Sequence, residues 1–528
     1  MDKSTPDEII ESEVINEKMT LVNYEKKREN RPRETAKIHN DYNSGKEATP
    51  SMKAPFSPYL NALAPKMKKL VELLGKSFAY VSILSTDSVG FGVYVSQTDK
   101  GISGKTMTTE RGNVVRVWRD GQYSEYAFNE ITGTVEKLAE EIVCQLDRQF
   151  ETLKLTGTKA YDTPILPDEP LELFVEKETK QLPERVDMKT LVETFTALSD
   201  RGMEIIPRAL DCTISGSSTH ISKMFVTKNR FLRQSYVYTE GTCWAIASND
   251  EEETKDTYQG VSGCGGPEIL EGLKEALERM PRLMEQMLSS EEIEPGEYEI
   301  ITDPEISGLI AHEAFGHGVE MDMFVKHRAL GADYIGKRVG SDLCTMHEGA
   351  LCDNSVTAYV FDDEGILAGD VTEIDHGILK TGICDALAAL RLGVQPTGNG
   401  KRENFAHKAY TRMTNTIFDS GESTLDEMIA SVKFGYLLEG EDSGMEDPKH
   451  WGIQCIVCRG REIKDGALTG RVVAPVVMTG YVPDLLGSIS MASRDRGVTG
   501  NGGCGKGHKE WVKVAAGGPY LKMKARLG

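Results

Sequence analysis

Residues 309–318, Leu-Ile-Ala-His-Glu-Ala-Phe-Gly-His-Gly, bring two imidazoles, His312 and His317, and the carboxylate of Glu313 within six positions. Imidazole nitrogens bind zinc, and an adjacent carboxylate can take a proton from zinc-bound water. The chemistry that follows is hydrolysis of an amide bond. The spacing is unusual. Histidines four apart, the common zinc-protease arrangement, lie about 40° apart around an α-helix. Five apart, they lie about 140° apart, on nearly opposite faces. Both reach one cation only if the helix widens, and a single i to i+5 turn does this. Gly316, with Gly318 close by, is suited to absorb the added residue.

The elements that must position this helix are legible around it. A strand at Tyr298-Glu299-Ile300-Ile301 feeds it, and Asp303-Pro304 forms an N-cap and N1 pair just upstream. Downstream, glycine turns at Asp363-Glu364-Gly365, His376-Gly377, Arg459-Gly460 and Lys464-Asp465-Gly466 separate short strands. Regular short strands with such turns predict a curved antiparallel sheet or barrel. Helices interrupt it at about 385–392, 424–434 and 484–493, the second opened by a Ser423/Asp426 capping box.

Upstream, strands are predicted around Tyr80, Val93 and Val114–Trp118, the last turning at Asp120-Gly121. Helices follow at 134–155, 188–199 and 269–288, with a strand-rich passage over 205–248. Glu294-Pro295-Gly296 reads as a boundary. The expected class is α+β with two domains: an N-terminal sheet-and-helix domain over 57–293, and a β-rich, barrel-like domain over 294–528 carrying the metal helix. Residues 1–56, dense in both charges, read as a solvated, flexible arm.

Composition narrows the partners. A net charge of −21 repels a polyanion over most of the surface, which argues against nucleic acid. No window has the length and apolarity of a membrane span, and the N-terminus lacks a signal-peptide core, so cytoplasm is the expected location. Ten cysteines without framework spacing suit reduced thiols. Cys455 and Cys458, a CxxC in an apolar strand, read as structural. The glycine-rich stretch 393–400 lacks a nucleotide-phosphate fingerprint and reads as the wall of a peptide cleft, with Arg402 the nearest charge for substrate carbonyls.

A catalytic zinc takes three protein ligands and leaves one position to water. Glu320 and Asp322 follow His317 closely and are better placed to accept hydrogen bonds from a ligand than to be one. Residues 312–322 (HEAFGHGVEMD), Pro396–Glu403, Arg412-Met413-Thr414-Asn415-Thr416 and Cys504-Gly505-Lys506-Gly507 occur in one order. Together they resemble the TldD/PmbA metalloprotease family, on its active TldD side. The resemblance is specific over about 290–520 and architectural only over about 57–290.

That resemblance implies zinc held by His312, His317 and Cys504, with Glu313 as general base. It departs at His508, where similar proteins carry a neutral Gln; this histidine is an exposed loop residue, a hydrogen-bonding neighbour of the site or a competing ligand. The family also implies a two-subunit particle that admits unfolded peptides and holds their backbones on sheet edges. This chain, with its motif intact, resembles the catalytic half, in a heterodimer with a homologous subunit or a homodimer. The expected function is a zinc-dependent peptidase acting on unfolded peptides or peptide precursors. The competing expectation is a regulatory or scaffold subunit whose structural metal is closed by a fourth protein ligand, His508.

Overall fold

Two β-sheets carry the chain in the computed structural model, which describes residues 51–103, 110–155, 161–250, 252–506 and 510–528. His508 and the first 50 residues of the expected arm lie outside the described residues. In the first sheet, β1 (Tyr80–Val95), β2 (Arg111–Arg119), β3 (Gln122–Phe128), β4 (Ala209–Val226), β5 (Arg230–Ser248) and β6 (Thr254–Cys264) lie in the antiparallel order β6-β5-β4-β1-β2-β3. The β2–β3 turn has φ of 50° at Asp120 and 79° at Gly121, both positive as a two-residue hairpin turn of this twist requires.

One face of this sheet is covered by helices. α1 (Pro58–Leu74) and α2 (Val135–Leu155) bury Leu60, Met67, Leu70, Ile142 and Leu146 against Ile83, Val115 and Val117. Further along the same strands, α3 (Met188–Ile205) and α4 (Leu273–Leu288) cover Ile214, Cys243 and Ala245. The strand alternation sends the intervening side chains the other way. There Tyr236 and Tyr238 pack on Val356, Tyr359 and Ala515, and Phe225 and Leu232 on Phe361, so the second face rests on the C-terminal part of the chain. α3 runs past the expected end at residue 199. Within the added turn, a Cβ on Gly202 would lie 2.2 Å from Cys212 Sγ, so the glycine marks close helix–strand approach.

In the second sheet, β7 (Gly296–Thr302), β8 (Phe434–Asp447), β9 (Gly452–Lys464), β10 (Val476–Tyr481) and β11 (Ala515–Leu527) pair in sequence, and β7 pairs back onto β11. The result is a closed five-stranded barrel, antiparallel except for the β7–β8 pair. Ile300, Leu438, Cys455, Val457, Val476, Met478 and Met523 form its core with Ile306, Ile310 and Phe315 of the helical segment that carries His312 and His317. β11 also pairs in parallel with Asn415–Phe418, which carries the sheet on to Met346–Glu348 and Val371–Asp375.

Two expected helices are shorter. The second spans Leu425–Ala430, and its capping box is Thr424/Glu427 rather than Ser423/Asp426, because the Thr424 hydroxyl accepts the Glu427 N–H. The third spans Val482–Gly487; Met491–Thr499 instead pairs with β11.

Candidate metal centre

Asp303 caps the helix that follows β7, its carboxylate accepting the Ile306 N–H at 2.9 Å, with Pro304 in the first turn. α5 (Pro304–Ile310) then widens into a π-helix over Ala311–Gly316 and tightens to a 3-10 turn at His317–Val319. The added residue is where the five-position spacing demands it. Gly316 is needed for a different reason than expected. Its φ is −57°, ordinary for any residue, but a Cβ would lie 2.1 Å from Met413 Sδ.

With the turn widened, the His312 and His317 rings come to 5.0 Å between centroids, their planes 83° apart. Cys504 Sγ lies 3.2 Å from His317 Nε2. Ligand atoms of His312, His317 and Cys504 all lie within 4.8 Å of one another. Around tetrahedral zinc such atoms would be about 3.5 Å apart. His312 Nδ1 is buried without a hydrogen-bond partner among the described residues. Two imidazoles and a thiol in this arrangement fit a zinc ion. Burial alone would raise the Cys504 thiol, yet the facing His312 and His317 rings hold it well below its usual value. Burial likewise opposes charging His317, and the Cys504 sulfur and Glu320 outweigh it, raising the ring well above the ordinary histidine value. These directions favour a thiolate facing a protonated ring, and a cation bound there would take the ring proton's place.

The support around these residues is ionic and buried. Glu320 Oε2 accepts from His317 Nδ1 at 3.2 Å, and Lys506 Nζ lies 3.0 Å from the same oxygen. Burial pushes Glu320 up, but Lys506, His317 and Arg412 hold it down at about 2. Asp322 receives Lys506 at 2.7 Å and Lys326 at 2.8 Å. Arg412, wholly buried, donates to the carbonyls of Cys504 and Glu510, both at 2.8 Å. The first sheet also grips the sulfur-bearing loop. Asn501 donates to Gly241 O at 3.0 Å and Val261 O at 3.2 Å, and the Gly502 N–H donates to Glu240 at 3.0 Å. No local motif marked Arg412, Asn501 or Glu240 for these roles.

Glu313 is buried on the π-helix beneath β8. A Cβ on Gly444 would lie 2.6 Å from Glu313 Cγ, so the strand approaches the carboxylate only because residue 444 has no side chain. Arg402, a candidate for substrate contact, is committed elsewhere: it grips Glu125 of β3 through Nη2–Oε1 at 2.6 Å and Nη1–Oε2 at 2.9 Å. Cys455 is buried in the barrel core, and burial pushes the Cys458 thiol up to about 12.

Comparison with known proteins adds family and fold. Residues 295–525 match the model of the PmbA/TldA metallopeptidase C-terminal domain. A metalloprotease of Methanocaldococcus jannaschii is 31% identical over 252 residues, 48% of this chain and 55% of that protein. A TldD homolog of Haemophilus influenzae, described as a metalloprotease, is 35% identical over 217 residues, 41% and 45% of the two chains. A zinc metalloprotease TldD homolog of Saccharolobus solfataricus is 30% identical over 232 residues, 43% and 51%. The chain spans about half the length of the curated relatives it matches. TldE from Thermococcus kodakarensis has the same fold, with a TM-score of 0.68 at 17% identity over 88% of this chain and 100% of that one. A Thermotoga maritima structure described as a DNA gyrase modulator gives 0.72 at 16% identity, with the same coverage.

Proposed function

From the match of residues 295–525 to the PmbA/TldA metallopeptidase C-terminal domain and the likeness to TldD homologs, we propose that this chain is a TldD-type zinc-dependent peptidase acting on unfolded peptides or peptide precursors. His312, His317 and Cys504 hold the metal in this reading, and Glu313 is the general base. The observation that carries it is the widened turn that brings both imidazoles to the Cys504 sulfur with Glu313 beside them. Zinc held there supplies a Lewis acid that acidifies water and polarises the peptide carbonyl. Glu313 takes the proton from the attacking water and returns it to the leaving amine. Glu320 keeps the His317 Nδ1 proton in place, so that Nε2 offers its lone pair to the metal.

Three protein donors gather in the cluster among the described residues, the number a catalytic zinc takes. The likeness to TldE supports assembly with a homologous subunit, as a heterodimer or a homodimer. No helix among the described residues is long and apolar enough to cross a membrane, and all ten cysteines are free, which suits work in the reducing cytoplasm.

The test is a pool of unfolded peptides profiled by mass spectrometry. Cleavage that a chelator abolishes and added zinc restores is the expected result. A zinc-loaded protein that cuts nothing in the pool overturns the reading.

A further inference from the structure

One carboxylate beside the metal helix has no role in that chemistry. Alternate residues of a strand share a face. On β8, Gly444 lies over Glu313, and Glu446, two positions on, reaches Gly318. A Cβ on Gly318 would lie 3.3 Å from Glu446 Oε1 and 3.6 Å from Trp451 Nε1. Both Glu446 oxygens and the indole nitrogen are buried, and among the described residues none has a hydrogen-bond partner. Trp451 is wholly buried, with ring centroids 5.3 Å from Phe315 of the π-helix and 4.5 Å from Tyr334. It holds a left-handed φ of 58°, a conformation unfavourable for a bulky residue and retained where packing enforces it.

Burial pushes the Glu446 carboxyl up to about 9, the cost of a desolvated charge with neither oxygen satisfied, and a cation bound beside it would draw the proton off. Glu446 is not among the residues whose ligand atoms gather within 4.8 Å, so it is not one of the candidate metal donors. Its oxygens need donors, and the indole N–H needs an acceptor. A protonated nitrogen with a peptide carbonyl near it supplies both: the ammonium donates to Glu446, and the carbonyl oxygen accepts from Trp451.

We propose that Glu446 selects substrates by binding a protonated nitrogen of the peptide, an amino terminus or a lysine ammonium, beside the His317–Gly318 turn. The inference rests on the peptidase reading for its substrate class. It ties recognition of positive charge to the point of cleavage, since Gly318 directly follows His317.

Three unfolded peptides of one sequence test it: one with a free amino terminus, one N-acetylated, and one N-acetylated with an internal norleucine replaced by lysine. Wild type should favour one cationic peptide over the neutral one on the order of 10- to 100-fold in kcat/KM. Glu446→Gln should lose that preference while retaining zinc, and the peptide that loses it identifies the nitrogen. An equal preference in wild type and variant, with all peptides cut, overturns the assignment and leaves the peptidase reading standing. Calorimetric binding to the zinc-loaded proteins separates the remaining cases. If nothing is cut, tighter binding of a cationic peptide that Glu446→Gln abolishes supports Glu446 against the peptidase reading. Indifferent binding with no cleavage overturns both.

Discussion

Glu320 and Cys504 address opposite nitrogens of one ring: Glu320 Oε2 lies 3.2 Å from His317 Nδ1, and Cys504 Sγ lies 3.2 Å from His317 Nε2. In the proposed site the carboxylate would fix which nitrogen carries the proton and so which would face a metal. Glu320→Gln is expected to weaken zinc binding by about 10- to 100-fold, read by competition with a chelator. Because Lys506 and Arg412 would lose their buried counter-charge, the melting temperature should fall as well. Unchanged zinc affinity would remove Glu320 from the account of the site.

Gly444→Ala tests how closely β8 must approach Glu313, the proposed general base. The added methyl would meet Glu313 Cγ at 2.6 Å and Leu309 Cδ1 at 2.9 Å, displacing the carboxylate. Turnover should drop by about 10- to 100-fold, as misplacing a reacting group by roughly 1 Å does, while zinc stoichiometry is retained. Peptide hydrolysis assayed beside elemental analysis separates the two effects.

Gly316→Ala should act on stability. The new Cβ would fall 2.1 Å from Met413 Sδ, an overpacking that costs about 1–3 kcal/mol in denaturant unfolding. Met413→Ala in the same chain should recover part of the loss, and failure to do so would place the strain elsewhere.

The pH dependence of stability has an identifiable contributor at Glu110. Burial raises this carboxyl to about 7, against opposing effects of Lys223 and the Phe405 N–H. Between its unfolded value near 4.5 and the folded value near 7, the folded chain holds a proton that the unfolded chain releases. Stability therefore falls as pH rises through that window. Glu110→Gln should flatten the fall, raising the melting temperature more at pH 8 than at pH 5; an equal shift at both would contradict the assignment.

Much of the metal helix was legible in local sequence. Five positions between His312 and His317 demanded a widened turn, and Asp303-Pro304 marked where the helix starts. Of the expected turns, Lys464-Asp465-Gly466 does end barrel strand β9, whereas Arg459-Gly460 lies inside that strand, paired with Glu439 and Leu438; the one parallel pair, β7 with β8, joins segments too distant for any local pattern to reveal. Cys504 stands 187 positions from His317, and only family resemblance pointed to it. Arg412 stood out only as part of a family motif, its grip on the Cys504 and Glu510 carbonyls being set by the fold, and the bonds from Asn501 and Glu240 that tie the sulfur-bearing loop to the first sheet have no local signal. Gly316 misled: it looks like a local backbone choice, yet it answers to the Met413 side chain from another element.

The central claim is that one buried carboxylate activates water at a cation held by two rings and a sulfur. Glu313→Gln, assayed for bound zinc and for peptide hydrolysis in the same preparation, tests it most directly. The account predicts about one zinc per chain and turnover reduced at least 100-fold. Hydrolysis at the wild-type rate by the zinc-loaded variant would contradict it.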